Sequence, residues 1–335
     1  MTRRFIDGLT DGESIEEIYL VAEKQVRSNR NGNLYLHLEL RDRSGSMPAR
    51  FWNASEHLQR AFEPGDFTHV KAKVQLHQGG LQMIVSQIER VAPERLELTD
   101  FLPHTEQDVN KLLERVRGFV RKIGQPHLRA LCDAFLIDEQ FVRGFLQVPA
   151  GIRVHHAYIG GLLEHVATMM ELADRIAPLY PGLDRDLLMV GVLLHDAGKV
   201  RELAWGRVFG YTDEGQLIGH LTIGVEMVNE KLAEVADLVG EPFPRELLYR
   251  VKHLILSHHG ALEFGSPKVP MTPEALALHH LDALDSKLHM FLREIREDRN
   301  PEAAWTQFNP TLQRRVYKGG SGSTSSSAAS PEEFD

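Results

Sequence analysis

The sequence has a single cysteine, Cys132, so no disulfide can form within the chain. That excludes the small, disulfide-stapled secreted scaffolds and fits a reducing cytoplasm. Cys132 stands in Leu131-Cys132-Asp133-Ala134-Phe135, which reads as a buried helix position rather than a nucleophile. No run of about 18 apolar residues occurs, so no membrane span is expected. The start, Met1-Thr2-Arg3-Arg4-Phe5, soon meets Asp7, Asp11 and Glu13 and lacks the apolar centre of a signal peptide. An excess of basic charge is missing too. The net charge of −9 argues against a simple basic coat for nucleic acid.

What is present is an ordinary globular composition, 42% hydrophobic and 25% charged. Its 335 residues make room for about two domains. Charge and histidine are unevenly spread. Residues 1–92 hold twelve Lys plus Arg and twelve Asp plus Glu, so the acidic excess lies downstream. Thirteen of the seventeen histidines lie there as well. An acidic, histidine-rich second part suggests metal chemistry as much as polyanion binding.

Residues 15–92 read as strands. Leu34-Tyr35-Leu36-His37-Leu38-Glu39-Leu40 alternates, with leucines on one side and Tyr35, His37 and Glu39 on the other. Asn29 to Asn33, Asp42 to Gly45 and Gly79-Gly80 are turn signals. A short helix over Ala54 to Phe62 follows the third strand, and Val70 to Leu76 alternates again. Three strands, a helix and two strands is the order of an OB-fold barrel; an SH3-like barrel is the competitor. OB barrels bind single strands through aromatic stacking and basic side chains. Tyr35, His37, Arg50, Trp52, Lys71 and Lys73 are the candidates here. Core packing of Trp52 or Phe51 and a merely solvated lysine face are the plain alternative.

The predicted division is an all-β barrel over 1–92, a linker over 93–107, an all-α domain over 108–317 and a disordered tail over 318–335. The tail is serine-rich and of low complexity. In the α part, helices are expected near 127–136, 139–147, 156–177, 184–197, 219–238, 246–258 and 273–297. Within it, Gly191-Val192-Leu193-Leu194-His195-Asp196-Ala197-Gly198-Lys199 carries a His-Asp pair to the end of an apolar run. Neighbouring helix side chains diverge by about 100°, a limit that relaxes at a helix end, and Gly198 suits such an end. An imidazole and a carboxylate together suit a divalent transition metal. His165, His220, His258, His259 and Asp282 also sit in apolar helical surroundings. Polar groups there are costly unless paired or ligating. His155, His156 and Asp285 are candidates for supporting the ligands or touching substrate.

The order His165, His195-Asp196, Asp282 resembles the HD superfamily of metal-dependent phosphohydrolases. The resemblance implies that these four hold one divalent ion. His220 with His258 or His259 resembles the members that hold two. His-Asp-Ala-Gly-Lys matches the form in which the lysine, here Lys199, faces the substrate phosphate. The whole chain, barrel first and then Gly160-Gly161-Leu162-Leu163-Glu164-His165 and Ser257-His258-His259-Gly260, resembles the YhaM-type 3′–5′ exoribonucleases. That resemblance implies single-stranded RNA as substrate, with single-stranded DNA as a second candidate. Asp196 and Lys199 are then the catalytic candidates. The ligand types suit Mn, Fe, Co, Ni or Zn, with Mg also open. A homo-oligomer stays open. The rival reading is an HD phosphohydrolase of a small nucleotide whose barrel serves regulation or assembly.

Overall fold

The computed structural model describes residues 3–28, 32–77, 80–93, 96–97, 100–152, 156–204, 210–298 and 303–319. His155 and the serine-rich stretch from 320 onward lie outside the described residues. Five strands form the first unit: β1 (Ser14–Ser28), β2 (Leu34–Asp42), β3 (Gly45–Trp52), β4 (Phe67–His77) and β5 (Gly80–Val91). They close into a barrel in the order β1-β2-β3-β5-β4. The helix between β3 and β4, α1 (Glu56–Arg60), is capped by Ser55, whose side chain accepts from the Leu58 N–H. The parallel β3–β5 pairing completes the OB-fold.

The alternation of β2 does what its period requires. Leu36, Leu38 and Leu40 point into the barrel and are fully buried. Phe51 packs against that core, whereas Trp52 faces outward and is 39% exposed. The core alternative for Trp52 therefore fails.

The rest is helical: α2 (Val109–Val120), α3 (Pro126–Ile137), α4 (Glu139–Phe145), α5 (Gly161–Ile176), α6 (Arg185–Leu194), α7 (Lys199–Glu202), α8 (Asp213–Leu217), α9 (His220–Val239), α10 (Arg245–Ser257) and α11 (Pro273–Glu297). Two short strands, β6 (Leu203–Ala204) and β7 (Gly210–Tyr211), pair between α7 and α8. Every residue of α6 from Leu187 to Leu194 is buried. A helix apolar on all sides belongs at the centre of its domain. It packs against α5, α10, α11 and α3. Its C-terminus thus delivers His195 and Asp196 to the middle of the helical unit. Among the described residues no helix is long and apolar enough to cross a membrane.

One expectation needs correction. The helix expected over 156–177 begins only at Gly161. His156 (φ 45°) and Gly160 (φ 79°) have left-handed backbones that a helix cannot continue through. Two residues of the expected linker pack on the barrel. Phe101 and Leu102 are buried with Leu20 and Phe67 of the barrel, and Ile159 packs on the same cluster. Residues 303–319 are not helical either; isolated bridges join Trp305 to Tyr317 and Asn309 to Arg314.

Candidate metal centre and strand-binding face

Helix ends build the centre. His195 caps α6, Asp196 follows it, His220 opens α9, His258 caps α10 with His259 next, and His165 and Asp282 lie within α5 and α11. Gly198 makes the turn after Asp196 compact. A Cβ there would stand 2.1 Å from the His220 carbonyl oxygen, so only glycine lets α9 begin against this turn.

The five histidines share one arrangement. In each, Nδ1 is held by an oxygen and Nε2 is turned inward. His195 Nδ1 donates to the Val192 carbonyl (2.9 Å) and His258 Nδ1 to the Ile255 carbonyl (2.8 Å). His259 Nδ1 donates to the Phe264 carbonyl at 3.1 Å. His220 Nδ1 donates to Glu202 Oε1 (2.9 Å) and His165 Nδ1 to Asp285 Oδ2 (2.6 Å). A carbonyl oxygen can only accept, so in His195, His258 and His259 a proton sits on Nδ1 and Nε2 is the atom left to face the centre. This is how metal-binding imidazoles are usually oriented.

Asp196 joins two groups of these nitrogens. Its Oδ2 lies 3.3 Å from His195 Nε2, while Oδ1 lies 3.5 Å from His220 Nε2 and 3.6 Å from His258 Nε2. On one side, His165 Nε2 lies 3.3 Å from Asp282 Oδ1, and His165, His195 and Asp282 form a group of ligand type. On the other, His220, His258 and His259 form a second such group. Both His258 and His259 therefore converge on the centre.

The electrostatics match. Burial raises the Asp196 pKa, but Lys199 and His195 outweigh it and hold the carboxyl well below the usual carboxylate range. Burial, then His195, lowers His258 well below its ordinary value. Burial, then His220, lowers His259. Both stay neutral, as ligands must. Burial disfavours a charged His165, yet Asp282 and Asp285 raise its pKa to about 9, so an ion taken up there displaces a proton. His195 Nε2, His220 Nε2 and Asp196 Oδ1 are buried with no hydrogen-bond partner. Such orphaned atoms around one point are what a divalent cation satisfies. The residues fit the metal.

Lys199 is fixed beside this centre. Its Nζ donates to Asp196 Oδ2 at 2.7 Å and to the Ala150 carbonyl at 2.6 Å. His156 Nε2 lies 3.8 Å from Asp285, and its ring stacks on His289 at 3.8 Å between centroids. Asp285 holds the His165 ring through Nδ1, and His156, His165 and Asp285 also form a group of ligand type. Glu202 escaped the sequence reading. It is buried, and its Oε1 accepts from both the backbone N–H (3.0 Å) and Nδ1 of His220. Burial raises its pKa, but His220 overrides this and lowers it. Glu202→Ala is expected to weaken metal binding by about 10–100-fold, measured by competition with a chelator. Wild-type affinity in that variant removes Glu202 from the site.

On the barrel, Tyr35 and Trp52 are cross-strand partners with ring centroids 4.8 Å apart. The Arg50 guanidinium lies 5.9 Å from the Trp52 ring. His37 is opposite Arg50, and Arg50 and Lys73 both register with Ile84, one on each side. Burial, then Arg27 and Arg50, lowers the His37 pKa, so this ring is neutral. Lys71 does not join the group as a free cation; its Nζ pairs with Glu16 at 2.9 Å. Arg27, opposite Tyr35 on β1, is an addition that the sequence alone did not single out.

Fold and site together define an HD-type hydrolase joined to an OB barrel. The HD domain family, a metal-dependent one, matches residues 162–287. The OB-fold nucleic acid binding domain family matches residues 21–91. The chain is 36% identical over 285 residues to the 3′-5′ exoribonuclease YhaM of Bacillus subtilis, covering 85% of this chain and 88% of that one. It is 33% identical over 303 residues to YhaM of Listeria innocua, covering 90% of this chain and 94% of that one. The chain belongs to the YhaM 3′–5′ exoribonuclease family and is a hydrolytic enzyme. Among solved structures it is similar to a domain of replication protein A from Methanococcus maripaludis, 24% identical with a TM-score of 0.24, covering 27% of this chain and 96% of that one.

Proposed function

We propose that this protein shortens single-stranded RNA from its 3′ end with two divalent ions, the barrel holding the strand. One ion is held by His165, His195, Asp196 and Asp282, and the other by Asp196, His220, His258 and His259. The observation that carries this reading is Asp196, whose two oxygens face different histidine groups. Mn, Fe, Co, Ni and Zn suit these ligands, and Mg remains a candidate. Divalent ions supply an acidified water and neutralise charge at a phosphoryl centre. The side chains do the rest. Asp196 ties the two ligand groups together, and Asp285 and Glu202 keep His165 and His220 in orientation. Lys199 has two of its three N–H donors engaged, and the third steadies a non-bridging phosphate oxygen.

The division into 1–92, 93–107 and 108–317 follows the same reading, with residues 318–335 as a tail. Single-stranded DNA is proposed as a second substrate. The lone cysteine supports a cytoplasmic setting. The test is a gel of 5′-labelled RNA and DNA oligonucleotides with manganese, magnesium or chelator. A ladder shortening from the 3′ end only with metal is expected. Hydrolysis of a free nucleotide in preference to the oligonucleotide favours the small-nucleotide reading instead. Lys199→Ala is expected to lower turnover about 100-fold at wild-type metal content. Loss of metal in that variant assigns Lys199 to the architecture of the turn.

A further inference from the structure

The centre has a floor and a mouth. His195, Asp196 and His258 are all but fully buried, whereas His220 and His259 are only partly covered. The rings of His220 and His259 lie 5.1 Å apart on one partly covered side of the centre, and Asp282, with 20% of its side chain exposed, marks another. Exposed apolar residues flank both histidines in sequence. Leu217 and Ile218, just before His220, are 85% and 45% exposed; Leu262 and Phe264, just after His259, are 67% and 66% exposed. Single exposed apolar residues need no explanation, but several grouped beside a polar site mark a surface that something covers.

The turn carrying Phe264 is well fixed. Gly260 has φ +83°, and a Cβ there would stand 2.2 Å from the His279 ring, so glycine is required. His279 Nδ1 in turn donates to the His258 carbonyl at 2.8 Å. The N–H groups of Phe264 and Ser266 both bond back to the Ala261 carbonyl (3.1 and 3.3 Å). The buried Ser266 hydroxyl lies 3.0 Å from the Leu256 carbonyl and 2.7 Å from that of Lys268. The Phe264 carbonyl itself accepts from His259 Nδ1. A residue that orients a ligand through its backbone thus holds a largely exposed ring beside the same ligand.

We infer that Phe264, backed by Leu262, is the stacking platform for the base of the strand's 3′-terminal nucleotide. This rests on the exonuclease reading above. A nucleic-acid strand brings a phosphate to the ions and a base alongside it, and every base has a face that an aromatic ring can cover. Stacking of this kind is independent of sequence, which suits an enzyme that must accept each new end it creates. Phe264 is a positioning residue: it sets where the last nucleotide lies and takes no part in the bond cleavage.

The test is a two-by-two comparison on the full chain loaded with manganese. KM is measured for an RNA oligonucleotide and for the same strand ending in a ribose without a base. The wild type is expected to show a KM about tenfold higher for the baseless end. Phe264→Ala is expected to show that increase already on ordinary RNA and no further increase on the baseless end. Phe264→Trp is expected to restore the wild-type pattern, and metal content stays at the wild-type level throughout. A baseless-end penalty in Phe264→Ala as large as in the wild type overturns the inference. Loss of metal in Phe264→Ala overturns it too, because the turn then serves only to hold His259. Failure of the wild type to shorten RNA from its 3′ end overturns the exonuclease reading itself, an outcome the other two leave untouched.

Discussion

Asp196→Asn is expected to lose bound metal and to lower RNA digestion by more than about 100-fold while keeping the fold. Changing groups that merely orient a ligand costs about 10–100-fold, and on the proposed reading Asp196 would itself be a ligand. Its two oxygens face His195 on one side and His220 with His258 on the other. An amide keeps that shape but removes the charge, and it turns N–H donors toward nitrogens that need a cation. The substitution also leaves the Lys199 ammonium without its carboxylate partner at 2.7 Å. The Ala150 carbonyl still holds it, so the turn survives. Elemental analysis, circular dichroism and the labelled-RNA gel together check this. Wild-type metal content in the variant removes Asp196 from the centre.

The second large effect belongs to the barrel. Tyr35→Ala with Trp52→Ala is expected to weaken binding of single-stranded RNA by at least about tenfold, since each stacked base is worth about 1–3 kcal/mol. The two rings touch, so the double substitution costs less than the sum of the single ones. Arg50→Ala and Lys73→Ala act differently. Each is expected to reduce the slope of log affinity against log salt by about one, because each releases a phosphate's counterions. The aromatic substitutions leave that slope alone. Lys71→Ala has the smaller effect, since Glu16 already neutralises it. Binding titrations at several salt concentrations measure all of this; unchanged affinity in the aromatic double variant sinks the barrel's proposed role. Point variants suit the purpose better than removing the barrel, which would expose Phe101 and Leu102.

Local pattern carried a good part of this architecture. The period-two run from Leu34 to Leu40 foretold both faces of β2, and the apolar run ending at His195 foretold a helix that stops at the site. The gathering of His165, His195, Asp196, His220, His258, His259 and Asp282 was legible because polar groups in apolar helices need a reason. What was hidden depends on partners distant in sequence. Glu202 looks like any surface acid until His220, eighteen residues on, is seen bound to it. Lys71 looks like a free cation until β1 sets Glu16 beside it. The turn from His156 to Gly160 was misread as helix, because its left-handed residues include a histidine that no propensity flags. Phe264 lay in a loop without periodicity, and nothing short of its bond to His259 drew attention to it.

The apolar seam between linker and barrel has a consequence for how the chain is made. Translation delivers about 5–20 residues per second, so the barrel is complete before any metal ligand has appeared. At that moment Leu20 and Phe67 lack their cover. Phe101 and Leu102 follow β5 closely and close most of the gap about a second later, and Ile159 arrives with the loop ahead of α5. Asp282 comes last, on α11. A nascent chain therefore carries a finished OB barrel long before α11 brings Asp282 to complete the candidate metal centre.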